Sequence, residues 1–257
     1  MNIFKNLYNY RELLKTSVKK DVRGKYKNSF LGVLWSFLNP LLQIAVYAFV
    51  FGKILNVNEE NYAVFICCGL IPWAFFNTAI SRTSFTMIEN GNILKKVYFP
   101  REVLPISVVT AECVNFFIST VIILGFVLAT GVGFSWHIVF YPLVLLVLYF
   151  FLIGVSLLVS SVTVYVRDIQ HFINVFLQLM FYATPIAYPA SRVPESFQWI
   201  LKLNPAAYVI EDFRRIFIYH TMPDFKGLAL VFSVSLVIFV INLTIFNKLQ
   251  KGFAEQM

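Results

Sequence analysis

Charge is what this sequence has least of. Only 13% of its 257 residues are Asp, Glu, Lys or Arg, and soluble domains carry about twice that fraction. Cysteine is scarce as well. Cys67, Cys68 and Cys113 all fall inside apolar runs, with no CxxC or metal-ligand spacing, so free buried thiols are expected. There is no GxxxxGK[ST], which excludes ATP binding through a P-loop of the chain's own. A carboxylate dyad, an HExxH and a nucleophile elbow are missing too, so no catalytic residue, metal or cofactor is assigned and the chain is not read as an enzyme. His137, His171 and His220 sit at the ends of apolar runs or in loops. The lack of an internal repeat argues against a secondary transporter built from inverted halves. The amino end has no short apolar core with a small-residue cleavage site, so the first apolar run is expected to act as its own insertion signal.

What is present is apolar and aromatic: 59% hydrophobic residues, 18% aromatic ones and a mean hydropathy of +0.74. The expected fold is an all-α integral membrane protein with six transmembrane helices. Between Lys27 and Lys53 no side chain is charged. Phe30 to Leu55 therefore exceeds the roughly 20 apolar residues needed to cross a bilayer core of about 30 Å. Asn39-Pro40 lies near its middle, where the missing backbone donor is expected to kink the helix. Further spans are expected over Ala63 to about Met87, Val103 to Thr130, Ile138 to Val164, Ile169 to about Tyr188 and Leu228 to Phe246.

The net charge of +8 sits at the ends of these runs. Positive-inside sorting explains that pattern, and anionic lipid rather than nucleic acid is the natural partner. The six-span assignment leaves Lys53, Arg192, Lys202, Arg214, Arg215 and Lys226 outside and the rest of the 21 Lys and Arg inside. Both termini are then cytoplasmic. Ahead of the first span, Ile3, Leu7, Tyr10, Leu14 and Val18 recur at helical spacing opposite Lys5, Asn9, Glu12, Lys15 and Lys19. This predicts an amphipathic interfacial helix, with a solvated basic tail as the alternative. Between Pro189 and Gly227 the chain is too polar to span yet keeps apolar stripes. Asn204-Pro205 is a cap followed by a first-turn proline, so short helices Ser196 to Leu203 and Pro205 to Tyr219 are expected, with Glu211 reaching Arg215. They either dip into the outer leaflet or form a surface hairpin.

Two ionisable residues fall inside spans, Arg82 and Glu112, at comparable depths from the cytoplasmic side. A buried charge needs a partner, so an intramembrane ion pair is expected, and a lone Glu112 gives a proton relay little support. Trp136, Tyr141 and Tyr188 suit interfacial belts. Phe37, Tyr47, Phe75, Phe76, Phe176, Phe181 and Tyr182 fall mid-span. Aromatic faces stack on sugar C–H faces, so such a set suits a carbohydrate better than an ion, although lipid-facing Phe explains any single member.

Several strings resemble one family. Residues 26–35 (YKNSFLGVLW), followed by Asn39-Pro40-Leu41-Leu42, are similar to the first span of polysaccharide-export ABC transporter permeases, the type-two ABC exporters of O-antigen and teichoic acid. Residues 69–76 (GLIPWAFF) match its second span, 90–105 (NGNILKKVYFPREVLP) its cytoplasmic coupling segment, Arg167-Asp168-Ile169 with Thr184-Pro185-Ile186 its fifth span, and Asn204-Pro205 with Phe213-Arg214 the helix before the last span. The resemblance covers nearly the whole chain. It implies one permease domain over 1–257, with a cytoplasmic interfacial helix (1–29), spans one to five (30–187), external re-entrant gate helices (188–227), and a last span with cytoplasmic tail (228–257).

It further implies a homodimer with two ATP-binding cassette subunits that carry ATP and Mg, in the inner membrane of a bacterium. The cargo would be a polyprenyl-pyrophosphate-linked polysaccharide. Phe37, Tyr47, Phe176, Phe181 and Tyr182 would line the channel, and Arg23, Lys25 and Lys27 would either attract the pyrophosphate or only set the topology. Glu89, Lys95, Lys96, Pro100 and Arg101 would couple to the ATPase. Asn204, Pro205, Phe213 and Arg214 would form the external gate. An ABC exporter permease for a drug or small lipid is the nearer rival. A membrane glycosyltransferase or phosphotransferase would need acidic metal ligands on a cytoplasmic loop, where only Glu89 and Glu102 occur.

Overall fold

The computed structural model describes residues 3–25, 30–55, 57 and 59–256. Those residues are almost entirely helical, with no strand among them. Two amphipathic helices come first, α1 (Ile3–Asn9) and α2 (Arg11–Gly24). Ile3, Leu7, Tyr10, Leu14 and Val18 turn towards the protein while Lys5, Asn9, Glu12, Lys15 and Lys19 stay exposed. A 3-10 turn leads into α3 (Trp35–Tyr47), which continues as a π-helical stretch over Ala48–Ile54. Pro40 lies inside α3, and the hydrogen-bond register widens not there but about two turns later, at Ala48.

Then follow α4 (Tyr62–Glu89), the short α5 (Gly91–Lys96), α6 (Val103–Ala129), α7 (Tyr141–Tyr165, entered through a 3-10 turn at Trp136–Phe140) and α8 (Ile169–Ala183). The chain closes with α9 (Gln198–Leu203), α10 (Pro205–Phe217), α11 (Phe225–Leu249) and α12 (Phe253–Gln256). Among the described residues, five segments are long and apolar enough to cross a membrane: Trp35–Ile54, Tyr62–Glu89, Val103–Ala129, Trp136–Tyr165 and Phe225–Gly252.

The predicted span from Ile169 to Tyr188 is cut short. α8 has 15 residues, about 22 Å of helix against a core of about 30 Å. It stops because Thr184 precedes Pro185 and adopts the extended backbone that a following proline imposes (φ −101°, ψ 136°).

α4 is apolar on every face and is accordingly the hub, buried against α6, α7, α8 and α10. Gly69 on α4 allows a close backbone approach. A Cβ there would lie 2.8 Å from the carbonyl oxygen of Ile186. α7 packs on α11 through another small residue. Gly154 meets the backbone of Phe239, and Asn242 Nδ2 donates to the Gly154 carbonyl at 2.9 Å. By contrast α3 lies at the edge, with only 6% of its spanning window buried.

Side-chain ties define the two ends of the bundle. At one end Asn6 Nδ2 donates to Glu102 Oε1 (2.8 Å), Lys20 Nζ to Asn90 Oδ1 (3.2 Å), and Tyr165 Oη to the Leu249 carbonyl (2.7 Å). Both described chain ends therefore lie together, beside α5 and the α7–α8 turn. At the opposite end Tyr62 Oη donates to the Ala187 carbonyl at 2.6 Å, and the rings of Phe140 and Phe225 meet at 5.4 Å.

Candidate functional site

Four features deserve chemistry, and the first is a charged network at the junction of α2, α4 and α6. Glu112 is 2% exposed. Arg82 Nη1 reaches its Oε1 at 2.5 Å, and Lys25 Nζ its Oε2 at 3.1 Å. Asn115 Nδ2 donates to Oε2 at 3.2 Å, and Thr78 Oγ1 lies equally close, its one proton shared with the Ala74 carbonyl at 2.7 Å. Asp21 Oδ1 lies 3.9 Å from Arg82 Nη2. Burial pushes the Asp21 carboxyl up from its ordinary range, with Arg82 and Lys20 opposing it and Glu89 and Glu112 adding to it. Beside this network lies a cavity of about 410 Å³ between α3, α4 and α6.

The second is the outer face formed by α3 and α8. Tyr47 sits 5.7 Å from Phe181, and Phe181 meets Tyr182 edge-on at 5.4 Å. Phe176 and Tyr182 are exposed, while Phe37, Tyr47 and Phe181 are half-buried at the edge of the core. His171, Asn174, Gln178 and Tyr182 share a second exposed stripe on α8. Phe75 and Phe76 belong elsewhere. Both are buried in the core, Phe75 against Phe116 (5.4 Å) and Phe76 against Trp73 (5.2 Å), so they are packing residues. Tyr141, expected in a belt, is half-buried. It stacks 6.2 Å from Phe116 and shares a hydrogen bond with Thr120 at 2.8 Å, whereas Trp136 is exposed.

The third is α5 and its flanks. Ile93, Lys95, Lys96, Val97 and Tyr98 are exposed, as is Glu89. Leu94 and Phe99 point inward and anchor the segment in a cluster with Met87, Leu104, Val164, Phe246 and Phe253. Arg101 does not reach outward. Its Nη1 donates to the Gln250 carbonyl, and its guanidinium lies 5.5 Å from the Phe253 ring centre. Pro100 is half-buried. Of the predicted head-group cations, Arg23 is exposed on α2, Lys25 is engaged with Glu112, and Lys27 lies outside the described residues.

The fourth is the hairpin of α9 and α10. Asn204 caps α10 by accepting the Ala206 N–H at 3.0 Å, and its Nδ2 donates to Thr184 Oγ1 at 2.7 Å. Phe213 and Arg214 are fully buried. The Arg214 guanidinium lies 3.5 Å over the ring of Phe65, and Nη2 donates to the Ile186 carbonyl at 2.8 Å. Burial pulls the pKa of the Arg214 guanidinium below its ordinary value, with Glu211 opposing. Glu211 therefore pairs with Arg214 (3.3 Å), not with Arg215 as spacing suggested, and Arg215 faces Asp212 at 3.8 Å instead. Only α9 remains uncovered, exposing Trp199 and Leu203, with Phe197 just before it. Sequence reasoning missed the Lys25 contact, the polar lining of the cavity, buried Asp212 and the anchoring role of Phe253. Of these, only the cavity left a signal, in the i, i+3, i+7 spacing of Ser36, Asn39 and Gln43.

The described residues form an apolar multi-helix bundle with an exposed short helix, α5, between two membrane-length helices and a largely uncovered α3. Residues 12–218 match the model of the ABC-2 type transporter family, and the chain belongs to that family. It is similar to the O-antigen export system permease protein RfbA of Klebsiella pneumoniae, with 36% identity covering 95% of this chain and 94% of that one. It is 34% identical to the protein of the same name from Myxococcus xanthus over the full length of both. A weaker similarity, 25% over 75% of this chain and 76% of the other, links it to the polysialic acid transport protein KpsM of Escherichia coli.

Proposed function

We propose that this chain is the transmembrane subunit of an ATP-driven exporter that moves a polyprenyl-pyrophosphate-linked cell-surface polysaccharide across the bacterial cytoplasmic membrane. O-antigen is the first choice of cargo, as in the names of its full-length relatives, and teichoic acid or another wall glycan belongs to the same class. The observation that carries this reading is the uncovered face of α3 and α8, where Tyr47, Phe176 and Tyr182 stand beside the polar row His171, Asn174 and Gln178. Two copies of the chain that bring these faces together enclose a passage with aromatic and hydrogen-bonding walls. Weak repeated stacking lets a sugar chain bind without being trapped, the compromise that conduction requires.

From the end that holds both termini the chain runs along α8 and on to Ile186, which lies against Gly69 of α4. With residues 184–188 this helix completes a sixth crossing, so both termini lie in the cytoplasm, where the basic residues of α2 belong. Two ATPase subunits dock on the exposed Ile93, Lys95, Lys96, Val97 and Tyr98, with Glu89, Pro100 and Arg101 framing that segment. ATP and Mg are held in those partners. Closure of the ATPases pushes α5, and the push passes to α4 and α6, which α5 joins, and to α2 through Lys25 and Asp21. Arg23, Lys25 and Lys27 draw the pyrophosphate to the cytoplasmic mouth. On the outside, Asn204, Pro205, Phe213 and Arg214 anchor the gate, and the uncovered α9 is the part that moves.

Glycan surface display tests this, measured with Tyr47→Ala, Phe176→Ala and Tyr182→Ala, beside Lys95→Glu and Lys96→Glu, with ATPase activity of the purified complex followed in parallel. The aromatic changes are expected to lower display and spare ATPase, and the charge reversals to lower both. Normal display in all three aromatic variants, with export of a small lipid lost instead, would replace the polymer by a small molecule as cargo.

A further inference from the structure

The cavity of about 410 Å³ between α3, α4 and α6 falls in the range of small-molecule sites, about 300–1,000 Å³. Its lining is unexpected among membrane-spanning helices. α3 contributes Ser36, Asn39 and Gln43 at i, i+3 and i+7, and α6 repeats that spacing with Glu112, Asn115 and Ser119. Side chains so spaced share one helix face, so the two stripes look into one space. α4 adds Thr78, and Lys25 stands at one side. Trp35, Phe75 and Phe116 supply ring surface between the polar groups.

Polar side chains inside a bilayer are costly unless they meet polar company. Here the two charges answer each other, Lys25 to Glu112 at 3.1 Å. What the cavity offers a visitor is therefore amide and hydroxyl chemistry with little net charge. A simple anion would find one cation that is already engaged. An alkyl chain would strip water from Asn39, Gln43 and Ser119 and give nothing back. A ring that carries several hydroxyls, each both donor and acceptor, matches amides that donate and accept and aromatic faces that pack against C–H groups.

We propose that this cavity is a sugar-binding subsite, separate from the α3–α8 passage, that holds the single sugar unit nearest the lipid carrier. This rests on the exporter reading above. Arg23, exposed on α2 two residues before Lys25, lies in the basic segment assigned to the pyrophosphate, which sets the first sugar at the cavity and the rest of the polymer beyond it.

The test uses the full chain in lipid nanodiscs and two probes, a polyprenyl pyrophosphate bearing one N-acetylhexosamine and the same polyprenyl pyrophosphate without sugar. Phosphatidylglycerol serves as a third titrant. The sugar-bearing probe is expected to bind about tenfold more tightly than the bare one, the effect of one or two added hydrogen bonds. Asn39→Leu with Gln43→Leu is expected to erase that difference and leave the bare probe unchanged. Both residues are exposed on α3, so the substitutions open no core, and Ser119→Val gives a second, independent lesion on α6. Equal binding of the two probes to the unaltered protein overturns the subsite and leaves the exporter reading standing. So does a variant that weakens both probes alike. Binding of neither probe, or of phosphatidylglycerol equally well, overturns both readings together.

Discussion

Arg82 Nη1 and Glu112 Oε1 meet at 2.5 Å between α4 and α6, and Lys25 reaches the same carboxylate from α2 at 3.1 Å. One buried acid thereby ties the interfacial helix to two spans. The pairing is unequal. Glu112 has four partners and is 2% exposed, while more than a third of the Arg82 and Lys25 side chains remains accessible. Removing one member of a buried pair costs about 3–5 kcal/mol. Exposure of the cations screens that to roughly 1–3 kcal/mol here. Glu112→Gln is expected to destabilise more than Arg82→Met, because the latter still leaves Lys25 in place. The double variant should lose less than the two losses combined. Thermal unfolding of the three variants in one detergent measures this, and strictly additive losses would show that the charges act independently.

Phe253 is fully buried although it stands close to the carboxyl end, wedged against Phe246 and Tyr165 and below Arg101. Its cluster includes Leu94 and Phe99, the inward residues of the segment that presents Lys95 and Lys96. The tail thus seats α5 from behind. A buried Phe→Ala change costs about 3–5 kcal/mol, and in this position the loss falls on the seating of α5. Phe253→Ala is expected to reduce glycan display severalfold while ATPase activity of the complex persists, with Phe253→Leu restoring most display. A parallel fall of both activities with no rescue by Leu would mean that the tail serves folding alone.

The long helices were legible because each is an uninterrupted apolar run, and the ends of α4, α6 and α7 fall within a few residues of those the hydropathy suggested. α8 misled because Leu, Phe and Tyr continue past Ala183 while Pro185 forces the backbone out of helix. Hydropathy counts side chains and does not see that constraint. The Arg82–Glu112 contact was legible from depth alone, since two charges in adjacent spans have few other partners. Lys25 was not, because a residue just past the end of an amphipathic helix reads as topology-setting charge whichever way it turns. Phe75 and Phe76 show the same limit from the apolar side. A mid-span Phe faces core or lipid according to its neighbours, and both turn inward here. Arg214 is the sharpest case. Counted as an external charge, it is fully buried against Phe65, where Glu211 and Ile186 accept from its two terminal nitrogens while Nε is buried without a hydrogen-bond partner.

Asp212 makes the α9–α10 hairpin sensitive to pH. It is 1% exposed, and Oδ1 accepts the Asp224 N–H at 2.8 Å and faces Arg215 at 3.8 Å. Oδ2 is buried with no hydrogen-bond partner. Burial pushes the carboxyl up from its ordinary 3.8 to about 6, helped by Asp224 and Glu211 and opposed by the Asp224 N–H and Arg215. A raised acid binds its proton more tightly in the folded protein, so stability falls as pH rises through the interval between those values. The penalty is complete above pH 6 and amounts to ~3 kcal/mol. Below the ordinary value both states are protonated and the dependence vanishes. Asp212→Asn keeps an acceptor for Asp224 and removes the ionisation. Its unfolding midpoint is expected to exceed that of the unaltered protein at pH 7 and to converge with it near pH 4. Unfolding curves of both proteins in one detergent across that range decide it, and two profiles that stay parallel would place the ionisation of Asp212 outside the window.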